Sequence, residues 1–115
     1  MKAGTKVEAR KSPRAKLGGA VSVTVRRQGS KRIEARLHEI SATGGILFLD
    51  EEFEAGSRVM LVFDTPVGLV KETAEMLPPH WSTKGCLQPF RFIDPGERSQ
   101  RRLQRTMKHL LGLKS

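Results

Sequence analysis

The sequence predicts a mainly β protein, a small barrel of short strands that ends in a single helix. Several runs alternate apolar and polar residues, the pattern of a strand with one buried face, and turn-forming glycines and prolines separate these runs. Near the C-terminus the spacing changes to that of one apolar helical stripe. With 115 residues, of which 37% are hydrophobic, the chain can bury one small core, so we expect a single domain.

The N-terminal segment differs from the rest of the chain. Residues 1–19 contain six Lys or Arg, three Gly and one Pro, with only scattered apolar residues. Such a segment buries too little apolar surface to offset the entropy lost on ordering. We therefore expect residues 1–19 to form a flexible basic arm, with Gly18 and Gly19 as a hinge, and residues 20–94 to form the barrel.

The clearest hairpin follows this arm. Residues 21–27 carry alternating valines, and residues 28–31 have the glycine and polar residues of a tight connection. The alternation resumes in residues 33–41, which form the second predicted strand. Residues 46–49 are a short apolar run and predict the third.

The second half of the barrel is less regular. Residues 59–63 are continuously apolar, as in a central strand, and residues 69–77 have one polar face. Residues 78–85 begin with two prolines, which cannot donate to a ladder, so we predict a loop there. Residues 86–93 form the last predicted strand.

Residues 95–112 are predicted to form a helix packed on the barrel. Asp94 can cap it, Pro95 suits the first helical position, and Gly112 can end it. The apolar stripe consists of Leu103, Met107, Leu110 and Leu111.

The charge is unevenly distributed along the chain. The net charge is +9, with +9 in residues 1–36, −5 in residues 37–90 and +5 in residues 91–115. Two basic ends create a field that attracts anions, so the partner should be anionic. Charge alone does not separate a dinucleotide from nucleic acid or an acidic protein.

Catalytic and metal-binding patterns are missing from the sequence. It has no paired carboxylates, no Cys/His metal spacing, no phosphate-binding glycine loop and no assignable Ser-His-Asp set. We therefore expect a protein that is not an enzyme, without a metal or cofactor.

The single cysteine, Cys86, excludes an internal disulfide and suits a core position. Because the sequence has no signal segment and no long apolar run, we expect a cytoplasmic location.

Two stretches have complementary ligand-binding chemistry. Arg10, Lys11 and Arg14 lie in the arm, and residues 38–45 read His-Glu-Ile-Ser-Ala-Thr-Gly-Gly at the end of the second strand. Paired arginines suit phosphates and the acceptor edge of guanine, whereas Glu39 and Ser41 suit the N–H edge of a purine. The glycines at the junction allow either a positive φ or close approach by a ligand.

An Arg-x-x-x-Arg in an N-terminal arm, followed some 25 residues later by acid-x-Ser-x-x-Gly, resembles the PilZ domain family. The resemblance runs from about Arg10 to the C-terminal helix. It implies a six-stranded antiparallel β-barrel that binds cyclic di-GMP. By position, Arg10 and Arg14 would hold guanine and phosphate, and Glu39, Ser41 and Gly44 would form the barrel side of the site. Lys11 and Gly45 complete the set of candidate ligand-binding residues, and Glu39 stands where the family usually has Asp or Asn.

The leading hypothesis is therefore a noncatalytic cyclic di-GMP receptor of bacterial second-messenger signalling. Its arm would order on ligand binding and signal to an unknown effector protein, with the chain a monomer or weak dimer. One alternative is a nucleic-acid-binding barrel. The aromatic residues argue against it, because they are not interleaved with basic residues as a base-stacking surface requires. The other alternative is a degenerate PilZ domain that acts only through protein contacts. Its main support is Glu39, in place of the usual Asp or Asn.

Overall fold

The structure, a computed structural model, describes residues 14–27, 29, 31–65 and 68–110. These residues form seven strands and one helix: β1 (Arg14–Arg27), β2 (Arg32–Ser41), β3 (Gly44–Leu49), β4 (Arg58–Thr65), β5 (Gly68–Met76), β6 (His80–Ser82), β7 (Gly85–Phe92) and α1 (Glu97–Leu110).

Six of the strands close into an antiparallel barrel. The neighbours run in the order β3, β2, β1, β4, β5, β7, and β3 pairs with β7 to complete the circle. This arrangement confirms the six-stranded antiparallel barrel with a C-terminal helix. The short strand β6 is an addition, which pairs only with β7 and lies within the predicted loop at residues 78–85. His80 follows the two prolines, so its backbone is free to pair where theirs is not.

The core consists of the inward faces of the strands. Val23, Val25 and Leu37 are fully buried, at 0% exposure, as the alternation in the sequence predicts. Leu47 and Leu61, which lie in continuous apolar runs, are also at 0% exposure. Cys86 is also fully buried, in agreement with its prediction as a small core residue.

The first strand begins earlier than predicted. Residues 14–19, which we assigned to the flexible arm, belong to β1, where Ala15 is buried and pairs with Ile40 of β2. Gly18 and Gly19 have φ values of 59° and 90° and lie where the register shifts between Lys16 and Val21. They therefore form a bulge inside a strand in place of the predicted hinge, because only glycine adopts such φ values without strain.

Helix α1 packs its apolar stripe on the barrel, with Leu103 and Met107 buried. It begins at Glu97, later than the predicted start. The Gly96 carbonyl accepts from Gln100 N at 2.9 Å, so Gly96 is the N-cap residue, and Asp94, with φ of 37°, does not cap the helix. The predicted last turn, Leu111 and Gly112, lies outside the described residues. Within the described ranges, no helix is long and apolar enough to cross a membrane.

A buried glutamine attaches the acidic loop between β3 and β4 to the barrel. Gln88 Oε1 accepts from Phe53 N at 2.8 Å, and Gln88 Nε2 donates to Phe53 O at 2.7 Å and to Leu77 O at 2.9 Å. Outside the barrel, Trp81 is 57% exposed and donates from Nε1 to Glu52 Oε1 of the same loop at 2.6 Å.

Candidate ligand-binding site

A bulge in β2 decides which way the acid-x-Ser segment faces. Leu37 pairs with Leu47 of β3, whereas Glu39 pairs with the preceding residue, Ile46, so His38 is an extra residue. Leu37 and Ile40 are three positions apart, yet both are fully buried. The bulge therefore places Glu39 and Ser41 on the side of β2 that faces away from the core.

Ser41 closes the short connection between β2 and β3. Its Oγ accepts from Thr43 N at 3.2 Å, donates to the Gly44 carbonyl at 3.2 Å, and lies 3.1 Å from Thr43 Oγ1. The hydroxyl is thus part of the turn as well as of the predicted site, and its orientation is set by the backbone that it bonds.

Gly44 and Gly45 are required by close packing between strands. Neither is among the described glycines with positive φ, so the positive φ allowed by the sequence is not the reason for them. A Cβ at Gly44 would lie 2.2 Å from the Phe90 carbonyl oxygen, and a Cβ at Gly45 would lie 2.3 Å from the Glu39 carbonyl oxygen. The missing side chains let β3 approach β7 and β2 closely.

Arg14 and Glu39, both predicted ligand residues, contact each other. Arg14 Nη1 lies 2.6 Å from Glu39 Oε2. The two side chains differ in exposure, at 63% for Arg14 and 10% for Glu39. A carboxylate this far from water needs a partner, and the guanidinium supplies one while its other N–H donors remain accessible.

These residues line one concave site of about 320 Å³, which we call the β3 groove. Its lining comprises Arg14, Glu39, Ser41, Thr43, Gly44, Gly45, Ile46, Leu77, Pro89, Phe90 and Arg91. Acceptor and donor groups therefore share one groove with apolar side chains, a combination that suits a ligand with charged groups and flat apolar faces.

Five of the seven predicted site residues come together in the β3 groove: Arg14, Glu39, Ser41, Gly44 and Gly45. Arg10 and Lys11 lie outside the described residues.

Sequence reasoning missed one cation of the groove. Arg91 lines it from β7, and Arg91 Nη2 lies 2.5 Å from Glu75 Oε1 of β5. The alternation of buried Phe90, exposed Arg91 and buried Phe92 could have indicated that Arg91 points outward. Its place beside β3 depends on barrel closure, which no local pattern reveals.

Other chemistry is sparse in the described ranges. They contain no group of three or more His, Cys, Asp or Glu residues placed to hold a metal ion. Burial, followed by the nearby Glu52 carboxylate, raises the pKa of the Cys86 thiol, which keeps it protonated and weakly nucleophilic.

Comparison with solved structures shows a PilZ-like fold. YcgR from Escherichia coli, in complex with c-di-GMP, matches with a TM-score of 0.77 and 18% identity over 92% of this chain. The PilZ domain of YcgR with c-di-GMP, also from Escherichia coli, gives a TM-score of 0.72 and 17% identity, covering 92% of this chain and 94% of that one. The PilZ domain of CeSA from a cellulose-synthesizing bacterium gives 0.65 and 13%, covering 90% and 100%.

These likenesses confirm, at the level of the fold, the resemblance inferred from the motif residues. This chain spans 47% of the first YcgR chain, about half of its length. No family profile and no curated protein sequence matches the chain.

Proposed function

We propose that this protein is a noncatalytic receptor for cyclic di-GMP. The observation that carries the proposal is the β3 groove, which gathers Arg14, Glu39, Ser41, Gly44 and Gly45 from three strands. The PilZ-like fold supports it, because two of the matching structures, YcgR and its PilZ domain, contain c-di-GMP.

The groove has the chemistry that this ligand requires. A guanidinium such as that of Arg14 binds phosphate oxygens or the acceptor edge of guanine through two parallel N–H bonds. A carboxylate such as that of Glu39 accepts from the N–H edge of guanine, and apolar side chains cover the base faces. Glu39 has lone pairs beyond those facing Arg14, so both residues can serve the ligand together.

Under this proposal the arm supplies the rest of the site. A volume of about 320 Å³ lies at the small end of the roughly 300–1,000 Å³ usual for ligand sites, so a cyclic dinucleotide extends beyond the groove. Arg10 and Lys11 precede β1 by only a few residues, so they can close over the exposed part of the ligand. Ordering of this segment would change the surface that the protein presents to an effector protein.

Calorimetric titration with cyclic di-GMP, with GMP as the control, tests the proposal. We expect saturable binding of cyclic di-GMP and at most weak binding of GMP, which has a single phosphate and base. Absence of binding by cyclic di-GMP would overturn the proposal.

A second titration series tests the nucleic-acid alternative. Binding that neutralises several phosphates of a polymer falls steeply with salt, whereas a ligand with two phosphates should show a shallow slope. Short single-stranded RNA or DNA that binds more tightly than cyclic di-GMP near physiological salt, with a base preference, would make the barrel a single-strand binder.

One observation favours a domain that acts only through protein contacts. Arg14 and Glu39 are already paired with each other in the groove, so part of their hydrogen-bonding capacity is used without any ligand. If neither wild type nor Glu39→Asp binds cyclic di-GMP, this second candidate function replaces the first.

A further inference from the structure

Two ion pairs flank Gly44 and Gly45 of β3. On one side, Arg14 of β1 pairs with Glu39 of β2 at 2.6 Å, and on the other, Arg91 of β7 pairs with Glu75 of β5 at 2.5 Å. In the barrel these strands follow one another as β1, β2, β3, β7, β5, so β3 lies at the centre of the five. The groove therefore has a guanidinium on each side.

Arg91 lies on β7, directly beside the central strand β3. Its Cα pairs with Gly44 of β3 on one side and with Glu75 of β5 on the other. Because Gly44 has no side chain, nothing on that strand position covers the Arg91 side chain. The neighbouring residues Phe90 and Phe92 are buried, so Arg91 projects to the outer face of the barrel.

The contact with Glu75 orients Arg91 without enclosing it. The Arg91 side chain is 61% exposed and that of Glu75 is 26% exposed. An ion pair with this much solvent access adds little to folding stability. A guanidinium has five N–H donors, and the pair with Glu75 engages Nη2, so other donors remain for a ligand in the groove.

We propose that Arg91 contacts cyclic di-GMP at a phosphate oxygen on the β7 side of the groove, and that Glu75 is the positioning residue for Arg91. The inference rests on the proposed function and adds to it a residue that the sequence motif does not contain. The β2 row that holds Glu39 and Ser41 lies two strand spacings from β7, about 10 Å. A ligand over Gly44 and Gly45 thus meets the acceptor groups on one side and the Arg91 guanidinium on the other.

Calorimetric titration of cyclic di-GMP into wild type, Arg91→Ala, Arg91→Lys and Arg58→Ala tests the contact. Arg58 is a matched control because it is the other cross-strand neighbour of Glu75 and lies outside the β3 groove. We expect Arg91→Ala to weaken binding about tenfold, Arg91→Lys to lose less because it keeps the charge, and Arg58→Ala to stay within about twofold.

Each other outcome overturns either the proposed function, the Arg91 contact or its assignment to a phosphate. Wild type that does not bind overturns the proposed function. If wild type binds and Arg91→Ala binds with the same affinity, this inference alone is overturned. Equal losses of affinity in Arg91→Ala and Arg58→Ala also overturn it. A loss in Arg91→Lys as large as in Arg91→Ala overturns the phosphate assignment, because a phosphate oxygen also accepts from the ammonium of lysine. Thermal melting verifies folding, and Arg91→Gln substitutes for Arg91→Ala if the latter unfolds.

A double-mutant cycle tests the role of Glu75. Glu75→Ala should weaken binding about threefold in the wild-type background and leave it unchanged in Arg91→Ala, because it acts through Arg91. Glu75→Gln, which keeps an acceptor at the same length, should restore most of the affinity. An equal loss with and without Arg91 overturns the positioning role, and tighter binding by Glu75→Ala would mean that Glu75 competes with the ligand for Arg91.

Discussion

Arg14 and Glu39 are 25 residues apart in the sequence, and in the folded protein Arg14 Nη1 lies 2.6 Å from Glu39 Oε2. The pair joins the start of β1 to the end of β2 and places both groups in the β3 groove. Under the proposed function, ligand binding and local stability are therefore coupled at these two residues.

Arg14→Ala should weaken cyclic di-GMP binding by about tenfold or more, because loss of a hydrogen bond to a charged group costs about 1.5–3 kcal/mol. Arg14→Lys keeps the charge and loses the planar fork, so its affinity should fall between those of Arg14→Ala and wild type. Calorimetry measures both. Near-normal affinity in Arg14→Lys would contradict bidentate recognition, and equal losses in Arg14→Ala, Arg10→Ala and Lys11→Ala would indicate a general field in place of specific contacts.

Glu39→Asp should strengthen cyclic di-GMP binding severalfold. The shorter side chain withdraws the carboxylate from Arg14, so the guanidinium becomes free for the ligand, and the acid takes the length usual in the family that this chain resembles. The melting temperature should fall slightly, because the ion pair is lost. Weaker binding in this variant would instead mean that Glu39 helps the ligand by holding Arg14 in place.

Ser41→Ala should lower both affinity and stability. The change removes the acceptor of Thr43 N and the donor to the Gly44 carbonyl, which should cost about 1 kcal/mol, or about 4 °C in melting temperature for a domain of this size. Ser57→Ala is the control, since Ser57 makes a similar bond to the Glu54 carbonyl at the surface, away from the groove. Equal effects of the two changes on ligand affinity would argue against Ser41 as part of the site.

Gly44→Ala should destabilise the barrel by about 1–3 kcal/mol, measured by denaturant unfolding. The added Cβ would lie 2.2 Å from the Phe90 carbonyl oxygen and 2.9 Å from the Arg91 Cα, so β3 and β7 would have to move apart. Gly96→Ala is the matched control, because a Cβ there meets nothing within 4 Å and only the helix cap changes. A variant Gly44→Ala as stable as Gly96→Ala would refute close packing as the reason for this glycine.

Cyclic di-GMP should protect the arm from amide hydrogen exchange. Residues 14–19 already belong to β1, and residues 14–16 pair with β2, so new protection is expected at the amides of residues 10–12, with little change in the barrel core. Each residue that becomes ordered costs about 1–2 kcal/mol of backbone entropy, which lowers the net affinity. Equal protection at residues 10–12 with and without ligand would remove the ordering step from the proposed function.

Much of the fold follows from the sequence because alternation reports which side of a strand is buried. The valines of β1 and the Ala35 and Leu37 positions of β2 predict the first hairpin, and Leu103 and Met107 predict the buried face of α1. Ile33 belongs to the same alternating series but is 41% exposed near the start of β2. Boundaries were harder to predict, because residues 14–16 are held in β1 by pairing with β2, a contact that composition does not report.

By itself the sequence determined a small β-barrel with a C-terminal helix and a motif whose Arg14, Glu39 and Ser41 share one groove. Only the tertiary structure decided that β3 closes the barrel against β7, which places Arg91 opposite Gly44. It also decided that Gly44 and Gly45 serve close packing between strands, and that Arg14 and Glu39 pair with each other. The physical reason is that a strand's periodicity is local, whereas its neighbour and register are set by closure of the whole barrel, in which every strand must be paired on both edges.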